Sequence, residues 1–195
     1  MIPTKDRIRK EALSLFATKG FAGTSMKDIA DGVGISKAAL YSHFSGKEDI
    51  FLEVYKQLAN DYIELTLRLF EASKGMEVRE KLKHIFTGYI LYYYKNREYQ
   101  GFWGQLPLLS PSELKEKIVK DITDRERFFQ EQMEAIFQEA IKKNEIREDK
   151  PSKMVMSFRA MRDGLLTWML LVPQINEELV ASFWDDYWYG LSSRD

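Results

Sequence analysis

The residues with the most chemistry to offer near the start of this chain crowd into "SKAALYSHFSGK", residues 36–47. Ser36, Lys37, Tyr41, Ser42, His43 and Lys47 supply cationic and neutral hydrogen-bond donors, and Ala38 and Ala39 add only methyl groups. That set suits charge pairing and hydrogen bonding to a polyanion rather than bond making. Bond making would call on other residues. The 195-residue chain has two His and no Cys, and shows no Gly-rich phosphate loop and no ligand cluster at metal spacing. Its many carboxylates fall in runs such as "ELKEKIVKD" and "DITDRERF", which read as solvated helix faces. The expectation is no enzyme, no metal and no cofactor.

What must position the donors is a pair of very short helices. In "GFAGTSMKDIADGVGISKAALYSHFSGKEDIF", residues 20–51, Ser25 and Asp28 have capping-box spacing and open a helix over about 26–32 that buries Ile29, Ala30 and Val33. Gly34 makes the turn, Ile35 plugs the gap beneath it, and Ser36 caps a third helix over about 37–44 with Leu40 and Phe44 inward. Two helices joined by a short Gly-containing turn form a helix-turn-helix. A helix of seven or eight residues spans about 10–12 Å, which fits a DNA major groove about 12 Å wide. Lys37, the long polar side chain at the start of that helix, is the candidate for a guanine edge, and Ala38 and Ala39 for apolar contact such as a thymine methyl. Tyr41 and His43 fit phosphate contacts, although a hydroxyl packed on the first helix or a ring bonded to backbone would use them structurally. Ser42 lies on the same outer side. Lys47, and Thr24 with Ser25, stand at helix starts, where charge and free amides favour phosphate.

The rest of the chain reads as helix too, with apolar residues recurring at three and four and no alternation of Val, Ile and Thr. The pattern predicts a first helix over about 5–19, closed by Gly20 in a left-handed conformation. A fourth begins at Ser45 with Glu48 closing a capping box and runs to about Ala72, and a fifth covers about 77–97. Residues 98–109 read as irregular or short helix. "SPSE" at 110–113 starts a helix to about Lys143, Pro151 one to about Val172, and Asn176 the last, to about Leu191. The fold class is all-α, about nine helices. Residues 1–50 carry eight Lys and Arg against six Asp and Glu, whereas 51–195 carry twenty-one against twenty-four, so a mildly basic front end precedes an acidic body. The N-terminus has no leader pattern, and "GLLTWMLLVP" at 164–173 is about half a bilayer span, so a buried helix is expected there and no membrane partner. Freedom from cysteine fits a reducing cytoplasm.

The ordered set Phe21–Thr24, Ile29-Ala30, Gly34-Ile35-Ser36, Leu40-Tyr41, His43-Phe44 and Lys47-Glu48 resembles the DNA-binding domain of the TetR family of bacterial repressors. Val33 stands where that family often has Ala, and Ala38-Ala39 where a Gly is frequent, departures that bear on packing and on what the helix reads. The resemblance implies a helix-turn-helix DNA-binding domain at 1–50 and a helical ligand-binding and dimerisation domain at 51–195. It implies double-stranded operator DNA as partner and repression as the usual mode. Two symmetric copies on a palindrome would roughly double the contact free energy.

The last two helices, "MVMSFRAMRDGLLTWMLL" and "LVASFWDDYWYGL", hold more aromatic surface than one small bundle needs. A homodimer interface through Met161, Gly164, Leu165, Trp168, Val180, Phe183, Trp184 and Tyr187 is expected, against the alternative of a monomeric core; the resemblance implies the same. "HIFTGYILYYYKNREYQGFW" packs eight aromatics into twenty residues, which are ordinary core material and also pocket material. Because relatives of that family bind an effector between these helices, Tyr89, Tyr93, Trp103, Phe129, Met133 and Trp168 are candidate lining for a small apolar or aromatic effector. His84, Thr87, Gln105, Arg159 and Arg162 are candidate polar contacts. A ligand would act by shifting the population toward a spacing of the recognition helices that misses successive grooves. The rival reading is a constitutive architectural DNA-binding protein without effector.

Overall fold

The computed structural model describes residues 2–108, 113–172 and 176–192, with the Glu113 side chain left aside. Among these residues it holds nine α-helices: α1 Thr4–Gly23, α2 Met26–Val33, α3 Lys37–Tyr41, α4 Lys47–Ala72, α5 Val78–Lys95, α6 Arg97–Gln105, α7 Glu113–Lys142, α8 Pro151–Leu171 and α9 Glu177–Leu191. A 3-10 turn at Leu106–Leu108 follows α6, and a single isolated bridge joins Ile146 to Ser192. The all-α expectation is borne out. The "SPSE" start lies largely outside the described residues.

Two compact units form, Met1–Tyr62 with Asn96–Ile122, and Ile63–Lys95 with Thr123–Asp195. In the first, α1 lays Ile8, Ala12 and Phe16 against Ile29 and Ala30 of α2, Leu40 of α3, and Ile50, Phe51 and Val54 of α4, all buried. Phe102 brings α6 into the same core, its ring 4.7 Å from Phe51 and 6.4 Å from Phe16. In the second unit α5 packs against α8 and α9. Phe86 is its centre, 5.7 Å from both Phe158 and Trp184 by ring centroid.

Local chemistry explains where the elements end. Gly20 takes φ 73°, ψ 171°, a conformation reserved for glycine, and α1 resumes beyond it for one more turn to Gly23 rather than stopping near residue 19. Gly34 is left-handed at φ 75°, ψ 40°, and its amide bonds back to Ala30 and Asp31, closing α2. α3 is shorter than the 37–44 expected. Ser42 donates its hydroxyl to the Ala39 carbonyl at 2.7 Å, and the His43 amide reaches Leu40, three residues back, so the last turn tightens and ends. The start of α4 also differs: the helix begins at Lys47, which makes Asp49 rather than Glu48 the third residue. Asp49 accepts from the Ser45 amide at 3.0 Å and from its hydroxyl at 3.2 Å. The last helix starts as expected, with Asn176 accepting from the Leu179 amide at 2.9 Å.

Candidate functional site

The short helices are held by polar devices at each end. Ser25 and Asp28 form both bonds of the capping box, the Asp28 amide donating to Ser25 Oγ at 3.1 Å and the Ser25 amide to Asp28 Oδ2 at 2.8 Å. Those bonds, the Ser25 side chain foremost, hold the Asp28 carboxyl below the usual carboxylate range. A lowered folded value means that this stabilisation is complete above the unfolded-state value and is lost as pH falls through the folded one. Ser25→Ala is therefore expected to cost about 1 kcal/mol at neutral pH and to flatten the acid limb of a urea-unfolding series. An unchanged acid limb would show that the box adds nothing. Ser36 caps α3 by accepting from the Ala39 amide at 3.1 Å. Arg7 of α1 donates to the Val33 carbonyl at the end of α2, a clamp for which the sequence gives no signal.

On this frame Ser36, Lys37, Ala38, Tyr41, Ser42 and His43 are exposed together, with Ala39 half-buried behind them and Leu40 fully buried. Tyr41 is 48% exposed, and Lys37 Nζ stands 5.8 Å from its ring centroid, a cation–π approach along one turn. Ser25 is exposed at the start of α2. Lys27 in the first turn of α2 is exposed as well, a cation that sequence reasoning passed over although its place beside Ser25 marks it. Two expected contacts sit differently. Thr24 is 1% exposed and donates its hydroxyl to the Gly20 carbonyl at 2.8 Å. Lys47 donates to the Phe21 carbonyl at 2.7 Å with its ammonium 4.3 Å from the Phe21 ring, tying the start of α4 to the end of α1.

The expected effector residues separate. Tyr89, Tyr93, Phe129 and Met133 are buried in the second unit, Trp168 is 59% exposed, and Trp103 belongs to the first unit, 6.0 Å from the Tyr55 ring. Gln105 also lies in the first unit, while His84 and Thr87 are half-buried on α5. Arg159 and Arg162 join the aromatic group. The Arg162 guanidinium lies 4.9 Å from the Tyr89 ring and 5.4 Å from Phe129, and that of Arg159 lies 4.8 Å from Phe129. The Tyr89 hydroxyl pairs with Thr66, and Arg159 with Glu126.

The residues expected at a dimer interface also divide. Leu165, Val180 and Trp184 are buried within the chain, Met161, Phe183 and Tyr187 are half-buried, and Gly164 and Trp168 are exposed. Tyr187 donates to the Met154 carbonyl at 3.4 Å, and burial pushes its phenol well above its ordinary value. Around Trp168, α8 and α9 also expose Met156 at 71%, Leu171 at 70% and Tyr189 at 67%, and a Cβ on Gly164 would meet nothing within 4 Å. Among the described residues no group of three or more His, Cys, Asp or Glu could hold a metal ion, and no helix is long and apolar enough to cross a membrane.

Known proteins resemble this chain in two ways. The family described as bacterial regulatory proteins, tetR family, matches residues 8–54. The biofilm operon icaADBC HTH-type negative transcriptional regulator IcaR of Staphylococcus epidermidis is 41% identical over 64 residues, which make up 33% of this chain and 35% of that protein. The match thus spans about a third of that relative's length. The TetR family transcriptional regulator PfmR from Thermus thermophilus superimposes over 100% of both chains with a TM-score of 0.75 and 28% identity. AibR, solved in complex with isovaleryl coenzyme A and operator DNA, shares the fold at a TM-score of 0.74 and 21% identity, over 97% of this chain and 98% of that one.

Proposed function

The chain belongs to the TetR family of bacterial regulators, and from that premise we propose that it is a dimeric, sequence-specific DNA-binding transcriptional regulator, a repressor released from a palindromic operator by a small, largely apolar effector. The observation that carries this reading is the exposed face of α3. Lys37, Tyr41, Ser42 and His43 stand clear of the surface on a helix whose other side is locked by Leu40 and by the Ser36 cap. Five residues rise about 7.5 Å, short enough to enter a major groove end-on. Lys37 reads a guanine edge there, Ala38 and Ala39 touch methyls, and Tyr41, Ser42, His43 and Ser25 hold phosphates. Thr24 and Lys47 serve the interface from behind, the first through its buried hydroxyl and the second by fixing Phe21 while keeping a positive charge at the start of α4. Repression is supported by the likeness to IcaR, a negative regulator.

Residues 1–50 read DNA, and residues 51–195 bind the effector and pair the subunits in the cytoplasm. The exposed stripe of Met156, Gly164, Trp168 and Leu171 on α8, with α9 beside it, is an apolar face larger than scattered surface residues account for. It pairs with the same face of a second copy, an arrangement that two-fold operators demand. An effector held by the second unit favours one spacing of the two α3 helices over another. The likeness in fold to AibR, described as bound to both isovaleryl coenzyme A and operator DNA, supports a place for a ligand as well as for DNA.

Two substitutions test the reading. Lys37→Ala is expected to relax preference at one position of each half-site and to cost about 1–3 kcal/mol there, measured by fluorescence anisotropy on a panel of single-base variants. An equal loss on every sequence would make Lys37 a phosphate contact. Trp168→Glu is expected to leave the fold intact, to shift sedimentation from dimer to monomer, and to weaken association by at least about 2 kcal/mol. A variant that remains dimeric would place the interface elsewhere.

A further inference from the structure

On α8 the inward stripe runs Val155, Phe158, Arg162, Leu165, Met169 at spacings of three and four, every member buried. Four are apolar and one is arginine. A leucine or methionine would fill the Arg162 place at far less cost, because a guanidinium taken out of water loses several kcal/mol of hydration unless it is well paired. Yet Arg162 is only 7% exposed, and its Nε donates at 2.8 Å to Asp163, the next residue, whose own side chain is 59% exposed. One turn earlier Arg159 reaches the same Phe129 ring, and its Nε is buried with no hydrogen-bond partner.

Stacking on Tyr89 and Phe129 engages the flat face of a guanidinium and turns its N–H edge elsewhere. That edge is the part that grips a carboxylate or phosphate in two parallel bonds. An uncharged apolar ligand would gain nothing from it and would have to cover it. An anionic group would be paired at both nitrogens while its apolar remainder packs on aromatic walls. A second negative charge finds no equivalent seat, since Glu126 already holds Arg159. We propose that the effector is an amphiphile with an apolar body and one anionic head, the head seated on Arg162 with Arg159 beside it. This rests on the reading that the second unit binds the effector, and it adds the chemical class.

The test uses the full chain and three probes of equal chain length: decanoate, decanoyl coenzyme A and decan-1-ol. Binding is read by thermal shift and by displacement of a fluorescently labelled operator duplex, in the wild type, Arg162→Met and Arg162→Lys. Wild-type protein is expected to be stabilised by an anionic probe and not by the alcohol. Arg162→Met is expected to bind that probe at least about tenfold more weakly, while Arg162→Lys, which keeps charge without the fork, falls between. Replacing a buried arginine by methionine commonly preserves folding, and the unliganded melting temperature checks this. Response to decanoate alone identifies a free carboxylate, and response to decanoyl coenzyme A alone a phosphate-bearing carrier. Equal response to the alcohol, unchanged binding by Arg162→Met, or no response to any probe overturns the proposal. Loss of the proposal with DNA binding intact leaves the regulator reading standing. Arg162-dependent probe binding by a protein that binds no DNA would remove that reading and keep the anion seat.

Discussion

Phe51→Ala is expected to lower the stability of the folded chain by about 3–5 kcal/mol, the usual cost of emptying a buried aromatic site, and to take DNA binding with it. Phe51 is fully buried, and three rings close on it: Phe16 at 5.0 Å, Phe21 at 5.1 Å and Phe102 at 4.7 Å. Phe16 and Phe21 lie on either side of the Gly20 break in α1, and Phe102 comes from α6, so one side chain holds three stretches of backbone together. Phe21 in turn carries the carbonyl that receives Lys47. Emptying the site loosens the support on which α2 and α3 are set. Phe128→Ala, at a ring 39% exposed, is the control and should change stability far less. Urea unfolding measures both. A Phe51 loss under about 1 kcal/mol would mean that the core collapses around the gap and that the cluster is not what holds the short helices.

Trp184→Ala is expected to cost a similar 3–5 kcal/mol, roughly the same as any emptied aromatic site, and for a reason that separates core from interface. Its ring is fully buried inside one chain, 5.7 Å from Phe86, 5.9 Å from Tyr187 and 6.0 Å from Trp188. A residue that acts within the monomer loses the same free energy at every protein concentration. A residue that acts between subunits loses more as dilution dissociates the dimer. Unfolding measured across a roughly hundredfold range of concentration should therefore show a constant Trp184→Ala deficit. A deficit that grows with dilution would return Trp184 to the subunit interface.

That distinction shows where the sequence stops being informative. The capping box at Ser25 and Asp28, the left-handed Gly34 and the Asn176 cap are set by bonds between residues three or four apart, and all could be read from spacing. The end of α3 could not. Leu40 and Phe44 are both buried as the pattern indicates, but a serine hydroxyl competing for the Ala39 carbonyl ends the helix before Phe44. At the start of α4, Ser45 and Glu48 have the spacing of a capping box, yet the chain enters its helix one residue later and recruits Asp49. On α9 the run "SFWDDYWY" is aromatic on both sides, so periodicity offers no contrast between Trp184, which the monomer buries, and Tyr189, which it exposes. Thr24 and Lys47 share a sequence signal with Ser25, since all three stand at helix starts. Only packing shows that the first is sealed and the second is bound to a carbonyl. The arginine within the α8 core stripe was legible as a polar residue in apolar company, and its meaning depends on the rings that the fold brings to it.

The central claim is that two copies of α3 read DNA together, and selection of bound sequences from a random double-stranded pool tests it most directly. The selection belongs at about physiological salt, because phosphate contacts make affinity fall steeply with ionic strength. The account predicts a palindromic consensus whose half-sites lie about one helical turn apart, with information at the position of each half-site that Lys37→Ala relaxes. Folded protein that enriches a single, non-repeated site would contradict the dimer, and folded protein that enriches nothing would contradict the reading of residues 24–47 as a DNA-reading surface.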